Sequence, residues 1–244
     1  MIDLQLNDGL SLMKSVSTKT VDLVLTDPPY IISKPSGMQK YIDETGDVSA
    51  NAVRTDFGSW DRDFTMEELE TTVNEYFRIL KDGGTAIVFF DKWKVTPLKE
   101  MMEAAGFKQL RLIHWFKTNP VPINSKVNYL NNSLDLAVLG IKKRKPTFNS
   151  QYDKGIYEYP IYQDSVYKRF HTTQKSLLLF EELIKKHSNQ GDLVIDTFSG
   201  SGTTALAAER TGREFLGCEI DPEYVRKSNE RLTAYRNLNK GNVL

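Results

Sequence analysis

Two patterns of apolar and polar positions alternate along the chain: short runs of apolar residues, and longer stretches in which apolar residues recur at helical spacing. The apolar runs predict buried strands at residues 21–27, 85–90, 109–116, 134–142, 193–198 and 214–221. Amphipathic spacing and end signals predict helices at residues 66–84, 95–107, 176–188, 199–212 (opened by a glycine turn) and 222–237. Strands that alternate with helices predict an α/β fold, a doubly wound, mostly parallel sheet with helices on both faces.

Two long segments do not share this alternation. Residues 33–63 are polar and without a clear period, and residues 117–170 are rich in proline, asparagine and tyrosine. Long irregular segments in a compact domain are commonly functional or disordered. We therefore expect one catalytic domain, residues 1–244, with a flap at 33–63 and a small inserted recognition lobe at 117–170.

The composition is that of a soluble protein. The chain has 244 residues, of which 40% are hydrophobic and 26% charged. No apolar run approaches the roughly 18 residues of a membrane helix, and the first residues lack the pattern of a signal peptide. Cys218 is the only cysteine, which excludes an internal disulfide and fits a cytoplasmic location. No histidine or cysteine cluster has metal-ligand spacing, so no metal is expected.

Charge is unevenly distributed although the formal net charge is zero. Residues 1–107 hold 11 basic and 18 acidic side chains, whereas residues 108–186 hold 14 basic and 6 acidic ones. A basic segment inside a neutral chain favours a polyanionic partner, with an ordinary solvated surface as the alternative.

A glycine turn, "DTFSGSGTT", follows a predicted strand and opens a helix. Gly200 and Gly202 allow the backbone to turn tightly and approach a ligand. Glu219 ends the next strand about twenty residues later, where a nucleoside-binding βαβ unit places the acid that holds ribose hydroxyls. A phosphate-binding loop is disfavoured because no Gly-Lys-Ser/Thr follows, and a dinucleotide fingerprint because its third glycine is missing.

The second motif is the corner "DPPY", residues 27–30, at the end of the strand "VDLVLTD". Two prolines cannot continue a central strand, so they present a carboxylate and an aromatic ring together at its tip. Ligands of doubly wound sheets bind beyond the carboxyl ends of the strands. The corner and the glycine turn are therefore expected to face one crevice although they are far apart in sequence.

Together with "HTTQK" (171–175) and "WFKTNPVP" (115–122), these motifs resemble the β group of DNA amino-methyltransferases. The resemblance extends from Asp3 to about Leu232. It implies a Rossmann-like methyltransferase fold, S-adenosylmethionine as cofactor, DNA as partner, and methylation of adenine N6 or cytosine N4 on a flipped base. Aspartate at the start of the corner is more typical of the adenine enzymes, so adenine N6 is the expected target.

The resemblance also implies roles for individual residues. The residues that hold and stack the target base are Asp27, Pro28, Pro29 and Tyr30. Those at the cofactor are Asp8, Asp27, Thr173, Gln174, Lys175, Asp196, Phe198, Gly200, Gly202, Thr203, Thr204, Glu219 and Asp221. The family commonly has proline where Thr172, Ser176 and Thr197 stand here, and these departures loosen the backbone at the cofactor mouth.

DNA contacts are expected from basic side chains of the middle segment: Lys126, Lys142, Lys143, Arg144, Lys145, Lys168 and Arg169. The recognition lobe is expected to recognise the target sequence, and the flap to cover the flipped base. A homodimer and a companion restriction endonuclease are further expectations from the resemblance.

Three other functions remain open at this stage. N4-cytosine methylation uses the same fold and corner. Methylation of RNA or of a protein amide is less favoured, because those enzymes usually place the glycine turn before the corner. A DNA-binding module without catalysis is opposed by the intact corner. Carbon-5 methylation of cytosine is disfavoured because Cys218 lies within a predicted strand and no Pro-Cys pair is present.

Overall fold

The computed structural model describes residues 1–32, 63–120, 130–162, 166–171 and 173–241. Its strands are β1 (Ile2–Leu6), β2 (Val21–Thr26), β3 (Leu80–Phe90), β4 (Lys108–Lys117), β5 (Leu134–Ile141), β6 (Ile156–Tyr159), β7 (Leu193–Asp196) and β8 (Glu214–Glu219). Its helices are α1 (Gly9–Ser15), α2 (Met66–Ile79), α3 (Val95–Ala105), α4 (Leu177–His187), α5 (Thr203–Arg210) and α6 (Pro222–Gly241). The expected flap, except Asp63, and Lys126 lie outside the described residues.

The described strands form one sheet in the order β1-β8-β7-β2-β3-β5-β4-β6. Within it β5 is antiparallel to both of its neighbours, and the remaining pairs are parallel. The early strand β2 lies directly beside the late strand β7, with Leu23 opposite Val194. The expected doubly wound, mostly parallel α/β fold is thus confirmed.

Helices cover both faces of the sheet because the central strands are apolar on both sides. In β2, Leu23 and Leu25 belong to the core beneath α4 and α5, whereas Val24 belongs to the core beneath α1, α2 and α3. All three side chains are fully buried. Among the described residues, no helix combines the length and apolarity needed to cross a bilayer.

The helix predicted for residues 66–84 is shorter than expected. It begins with a capping box between Thr65 and Glu68 but ends at Ile79, and β3 follows at once. Gly83 and Gly84 lie in the first part of β3 instead of stopping the helix. Gly83 has φ +96°, and its N–H donates to the Lys142 carbonyl at 2.6 Å, so the glycine bend fits the chain against the end of β5.

The predicted inserted lobe also needs new bounds. Residues 117–170 contain β5 and β6, which are integral strands of the central sheet. The segment is therefore not a separate insertion, and only its connecting stretches lie outside the sheet. The sequence pattern did not predict β6 or α1. Strand β6 has only four residues, too few to show a clear alternation of apolar and polar positions. Helix α1 has only seven, too few to show a helical period.

Candidate active site

A cavity of about 950 Å³ lies at the carboxyl ends of the parallel strands. The corner residues Asp27 to Tyr30, from the end of β2, line it together with Phe198 and Gly200 from the turn after β7. Because β2 and β7 are neighbours in the sheet, the two motifs meet despite their separation in sequence. The expectation of one shared crevice is confirmed.

Most residues expected at the cofactor line this cavity. They are Asp8, Asp27, Thr173, Gln174, Lys175, Asp196, Phe198, Gly200, Thr203, Thr204, Glu219 and Asp221. Gly202 does not line the cavity. It is the N-cap of α5, with φ +68°, and a Cβ added there would lie 2.9 Å from Ser228 Cβ. Its contribution is the turn itself, which directs the start of α5 toward the cavity.

Asp196 holds the glycine turn against the corner strand from below. Its carboxylate accepts hydrogen bonds from Thr26 Oγ1 at 2.7 Å, Thr204 Oγ1 at 2.5 Å and the Phe198 N–H at 3.1 Å. Burial raises the pKa of this carboxyl to about 6, because three neutral donors compensate only in part for its lost hydration.

The raised pKa of Asp196 makes stability depend on pH. The folded state binds this proton more tightly than the unfolded chain does, where the pKa is near 3.8. The stabilisation is therefore complete below about pH 4 and is lost as pH rises through 6, an effect of about 3 kcal/mol. We expect the free energy of unfolding of the wild type, minus that of Asp196→Asn, to fall by this amount between about pH 4 and 7. Urea unfolding across this range measures it; parallel curves for the two proteins would contradict the assignment.

Glu219, at the end of β8, connects the glycine turn to the start of α6. Its Oε2 accepts from the Gly200 N–H at 2.8 Å, and its Oε1 accepts from the Asp221 N–H at 2.9 Å. Each oxygen keeps a second lone pair, and Glu219 lines the cavity. The carboxylate is thus held firmly and can still accept two hydroxyl groups.

Other expected cofactor residues have their polar atoms engaged within the protein. Asp8 is the N-cap of α1 and accepts from the Ser11 N–H at 2.9 Å; hydrogen bonding to Ser11, chiefly its side chain and then this N–H, lowers the pKa of Asp8. Asp221 accepts from the Glu223 N–H at 2.8 Å at the start of α6. The Thr203 hydroxyl lies 3.1 Å from Ser201 Oγ and accepts from the buried Arg231. These bonds fix the side chains at the edge of the site, and Asp8 and Asp221 each keep their Oδ2 available to a ligand.

Gln174 supplies an independent sign that the cavity is built for a polar ligand. Its side chain lines the cavity and is 2% exposed, yet neither Oε1 nor Nε2 has a hydrogen-bond partner among the described residues. A buried amide without partners is costly, so a bound group with both donors and acceptors is expected to satisfy it. The amino-acid end of S-adenosylmethionine, with its ammonium and carboxylate groups, has this chemistry.

Aromatic side chains form the apolar wall of the same half of the cavity. The rings of Phe198 and Phe64 meet edge to face with centroids 5.3 Å apart. Phe64 precedes α2 and also lines the cavity. A planar adenine ring fits such a wall, and Glu219 and Gln174 provide the polar partners. The residues present therefore fit S-adenosylmethionine.

The Asp-Pro-Pro-Tyr corner is fixed by contacts on all sides. Tyr30 donates its hydroxyl to Asp27 Oδ1 at 2.8 Å, and its ring meets Phe90 edge to face at 5.7 Å. Lys94, at the start of α3, donates to the carbonyls of Tyr30 at 3.1 Å and Ile31 at 2.7 Å. Ile31 has φ +59°, a left-handed conformation that these bonds help to hold.

Lys175 lines the cavity and contacts the corner. Its ammonium is 3.0 Å from Asp27 Oδ2, 3.6 Å from Asp135 Oδ2 and 3.1 Å from the Tyr30 hydroxyl. Lys117 Nζ donates to Asp135 Oδ1 at 2.6 Å and completes a row of four alternating charges. The Lys175 ammonium is therefore paired with the corner, and the cofactor contact expected of Lys175 stays a prediction.

His171 packs within the loop and has no geometry for acid–base work. Its ring is 4.5 Å from that of Tyr224, and its Nδ1 accepts from the Thr173 N–H at 3.3 Å. Burial and the nearby positive charge of Lys175 lower its pKa to about 4, so the imidazole is neutral at ordinary pH.

The basic run at residues 142–145 lies at the other end of the sheet from the cavity. Along the β3–β5 ladder, Leu136 pairs with Phe90 near the cavity, whereas Ile141 pairs with Thr85. Five residues of strand separate them, roughly 17 Å.

The predicted DNA contact of Lys142 is therefore wrong, and that of the other three residues stays a prediction that their place at the other end of the sheet disfavours. Lys142 is 3% exposed, and its ammonium donates to the carbonyls of Leu80 and Arg78. Lys143, Arg144 and Lys145 are exposed but lie on the wrong end of the sheet. Arg169 lines the cavity, and Lys168 is exposed beside it.

Sequence reasoning did not identify Lys117, Asp135 or Lys94 as site residues. Lys117 ends β4, Asp135 lies near the start of β5, and Lys94 directly precedes α3. Charged residues are common at the ends of strands and helices, so the sequence alone does not mark these three. The available signal was the position of Lys117 within "WFKTNPVP", one of the segments that carry the resemblance to the DNA amino-methyltransferases.

Comparison with known proteins agrees with this geometry. Residues 21–230 match a family described as DNA methylase, of the N6 and N4 methyltransferase type. The Type II methyltransferase M2.DpnII of Streptococcus pneumoniae is 28% identical over 250 residues, which cover 96% of this chain and 90% of that protein.

Solved structures show the same architecture. The complex of M1.HpyAVI with SAM has a TM-score of 0.70 and 25% sequence identity, covering 95% of this chain and 99% of its own. The cytosine-N4-specific PvuII DNA methyltransferase has a TM-score of 0.73 at 19% identity, covering 97% and 92%. The second likeness concerns the fold alone and does not distinguish the target base.

Proposed function

Because this chain belongs to the DNA methylase family, we propose that it transfers the methyl group of S-adenosylmethionine to the N6 amino group of an adenine in DNA. The observation that carries the proposal is the meeting of the Asp27–Tyr30 corner and the glycine turn in one cavity. One half of the cavity offers Glu219, Gln174 and Phe198 to the cofactor. The other offers an acceptor, Asp27, and a flat ring, Tyr30, to the base.

S-adenosylmethionine supplies an electrophilic methyl group on its sulfonium. The protein's contribution is to prepare the attacking nitrogen, which is weakly nucleophilic because its lone pair is conjugated with the ring. Asp27 and the Pro28 carbonyl accept the two amino hydrogens, and these bonds favour a pyramidal nitrogen with a localised lone pair. Positioning and fixed dipoles then supply most of the rate, without a covalent enzyme intermediate.

The base must leave the helical stack before it reaches this cavity, at a cost of a few kcal/mol. Stacking on an aromatic ring such as that of Tyr30 recovers roughly 1–3 kcal/mol. The Tyr30 ring is held in one orientation by its bonds to Asp27 and Lys175, so it is ready before the base arrives.

Adenine is favoured over cytosine by the first residue of the corner. Asp27 stands where serine is more typical of N4-cytosine enzymes, and the relatives found by sequence include M2.DpnII, a Type II methyltransferase. The fold does not contribute to this choice, since a cytosine-N4 enzyme shares it.

The direct test is product identification. Purified protein is incubated with S-adenosylmethionine and unmodified duplex or single-stranded DNA, and the DNA is digested to nucleosides for mass analysis. N6-methyladenine supports the proposal. N4-methylcytosine keeps the mechanism but contradicts the base. Cofactor binding without a methylated base directs the search to RNA, to protein or to a silent binding module.

DNA is expected to contact cationic side chains that line the cavity. Lys92 follows β3 and Arg169 precedes the loop of His171; both line the cavity and are exposed. We expect Lys92→Ala/Arg169→Ala to weaken DNA binding and to reduce the slope of log affinity against log salt by about 2, one for each phosphate contact.

A matched pair of charges serves as the control. Lys143→Ala/Arg144→Ala removes two exposed cations at the other end of the sheet and should leave both affinity and slope unchanged. Fluorescence anisotropy with a labelled duplex over a salt series measures both variants. Equal losses in the two variants would show that net charge, and not the cavity face, governs binding.

A cytoplasmic location, supported by the lone Cys218, belongs to this proposal. A companion restriction endonuclease is supported by the Type II relative. That companion and the homodimer stay predictions, as do the recognition role of the stretches around β5 and β6 and the flap at 33–63.

A further inference from the structure

We propose that Lys175 is a positioning residue that keeps Asp27 negatively charged as an acceptor for the target amino group, and that Asp135 and Lys117 hold Lys175 in place. The inference rests on the proposed function for the task of Asp27. It assigns a task to three residues outside the corner, two of which come from the paired strands β4 and β5.

Four charged side chains lie in a continuous row with alternating signs. Lys117, Asp135, Lys175 and Asp27 are joined by successive nitrogen–oxygen distances of 2.6, 3.6 and 3.0 Å. Their side chains are only 13%, 14%, 8% and 18% exposed, in the same order. Two positive and two negative groups balance one another, which is the condition under which buried charges are tolerated.

Lys175 is the member that connects the two carboxylates. Without it, Asp27 and Asp135 would share a poorly hydrated site as two like charges, and one of them would take up a proton. A protonated Asp27 loses part of its acceptor capacity and becomes a donor, which is the wrong polarity for an amino group. The ammonium also donates to the Tyr30 hydroxyl, so it holds the stacking ring as well.

The directions of the pKa shifts agree with this arrangement. Burial raises the pKa of Asp27, and the charge of Lys175 offsets only part of that rise. Burial alone would lower the pKa of Lys175, but Asp27 and Asp135 outweigh it and raise that pKa above its ordinary value. Among the described residues, the charged and titratable groups that face the corner or act on Lys175 are Tyr30, Asp91, Lys94, Lys117, Asp135, His171, Lys175 and Asp196.

The first experiment is the pH profile of single-turnover methylation with saturating DNA and cofactor. In Lys175→Met the acidic limb should move to higher pH by about 1–3 units, because an opposite charge beside Asp27 is lost. In Lys175→Arg the charge remains, so the limb should stay in place even where the overall rate falls. In Asp135→Asn a like charge is lost, so the limb should move to lower pH.

Opposite shifts in Lys175→Met and Asp135→Asn are the result that supports the proposal. A uniform loss of rate with an unmoved limb in both variants would assign Lys175 a merely structural task and overturn it. Should Lys175→Met not fold, Lys175→Gln takes its place, because it removes the charge but keeps a donor for the Tyr30 hydroxyl; an upward shift supports the proposal and an unmoved limb overturns it.

A second readout does not depend on activity. Carbon-13 shifts of the aspartate carboxyl groups, with the Asp27 signal assigned by its absence in Asp27→Asn, report the protonation of Asp27 directly. Its midpoint should rise in Lys175→Met and fall in Asp135→Asn. If the wild type methylates no base, the proposed function fails, and this titration still tests Lys175; an unmoved midpoint overturns the inference alone.

Discussion

Replacing Asp27 with alanine should reduce methyl transfer by about 10²–10³-fold while leaving cofactor affinity nearly intact. Asp27 accepts a hydrogen from the target amino group, and removing one preorganised partner of a developing charge typically costs that much. Glu219, Gln174 and Phe198, which we propose hold the cofactor, are separate from Asp27. Single-turnover methylation of DNA and calorimetric titration with S-adenosylmethionine measure the two quantities.

A control for the Asp27 variant is Asp82→Ala. Asp82 is also an aspartate in an ion pair, with Lys19 at 3.3 Å, but it lies on the far side of the sheet where α2 passes into β3. Asp82 is partly buried but lies at the other end of the sheet from the cavity, so activity should be unchanged. Equal activity of Asp27→Ala and the wild type would remove the corner from the mechanism.

Replacing Glu219 with alanine should weaken cofactor binding about 10²-fold or more. The variant loses two charge-assisted hydrogen bonds to ribose hydroxyls, each worth about 1.5–3 kcal/mol. It also removes the acceptor of the Gly200 and Asp221 N–H groups, so the glycine turn loses a support. Methylation should recover in part at high cofactor concentration, because Asp27 and Tyr30 are untouched.

The same strand offers the control for this variant. Glu214 begins β8, five residues before Glu219, and pairs only at the surface with the terminal amine, at 3.2 Å. Glu214→Ala should bind S-adenosylmethionine like the wild type. Calorimetry on the three proteins decides the matter, and equal affinities throughout would exclude Glu219 from the cofactor site.

Much of the fold follows from local patterns in the sequence. The buried strands β2 and β3 are apolar on both faces. In the turn after β7, Gly200 and Gly202 have positive φ, a conformation that favours glycine. Such signals are local, so they can be recognised without knowing what packs against them. The shared crevice also followed, because parallel strands bring their carboxyl ends to one edge of the sheet.

What could not be predicted depends on contacts between distant residues. Lys142 belongs to a run of four basic residues, yet its ammonium is buried against carbonyls at the end of α2. The partner of Lys175 could not be inferred either, since Asp27 and Asp135 lie on different strands and meet it only in the folded chain. Helix α2 ends before its glycines, whose backbone groups bond to Lys142: the Gly83 N–H donates to the Lys142 carbonyl and the Gly84 carbonyl accepts from the Lys142 N–H.

The adjacency of β2 and β7 bears on how such enzymes diversify. The corner and the glycine turn belong to separate stretches of chain, and they meet in the cavity because their strands are neighbours. The geometry of the corner depends on which strands are neighbours in the sheet. It does not depend on which of them comes first in the sequence. A circular permutation that opened the chain at the exposed Gly191 turn, before β7, would reverse the order of the two motifs and preserve every distance between them.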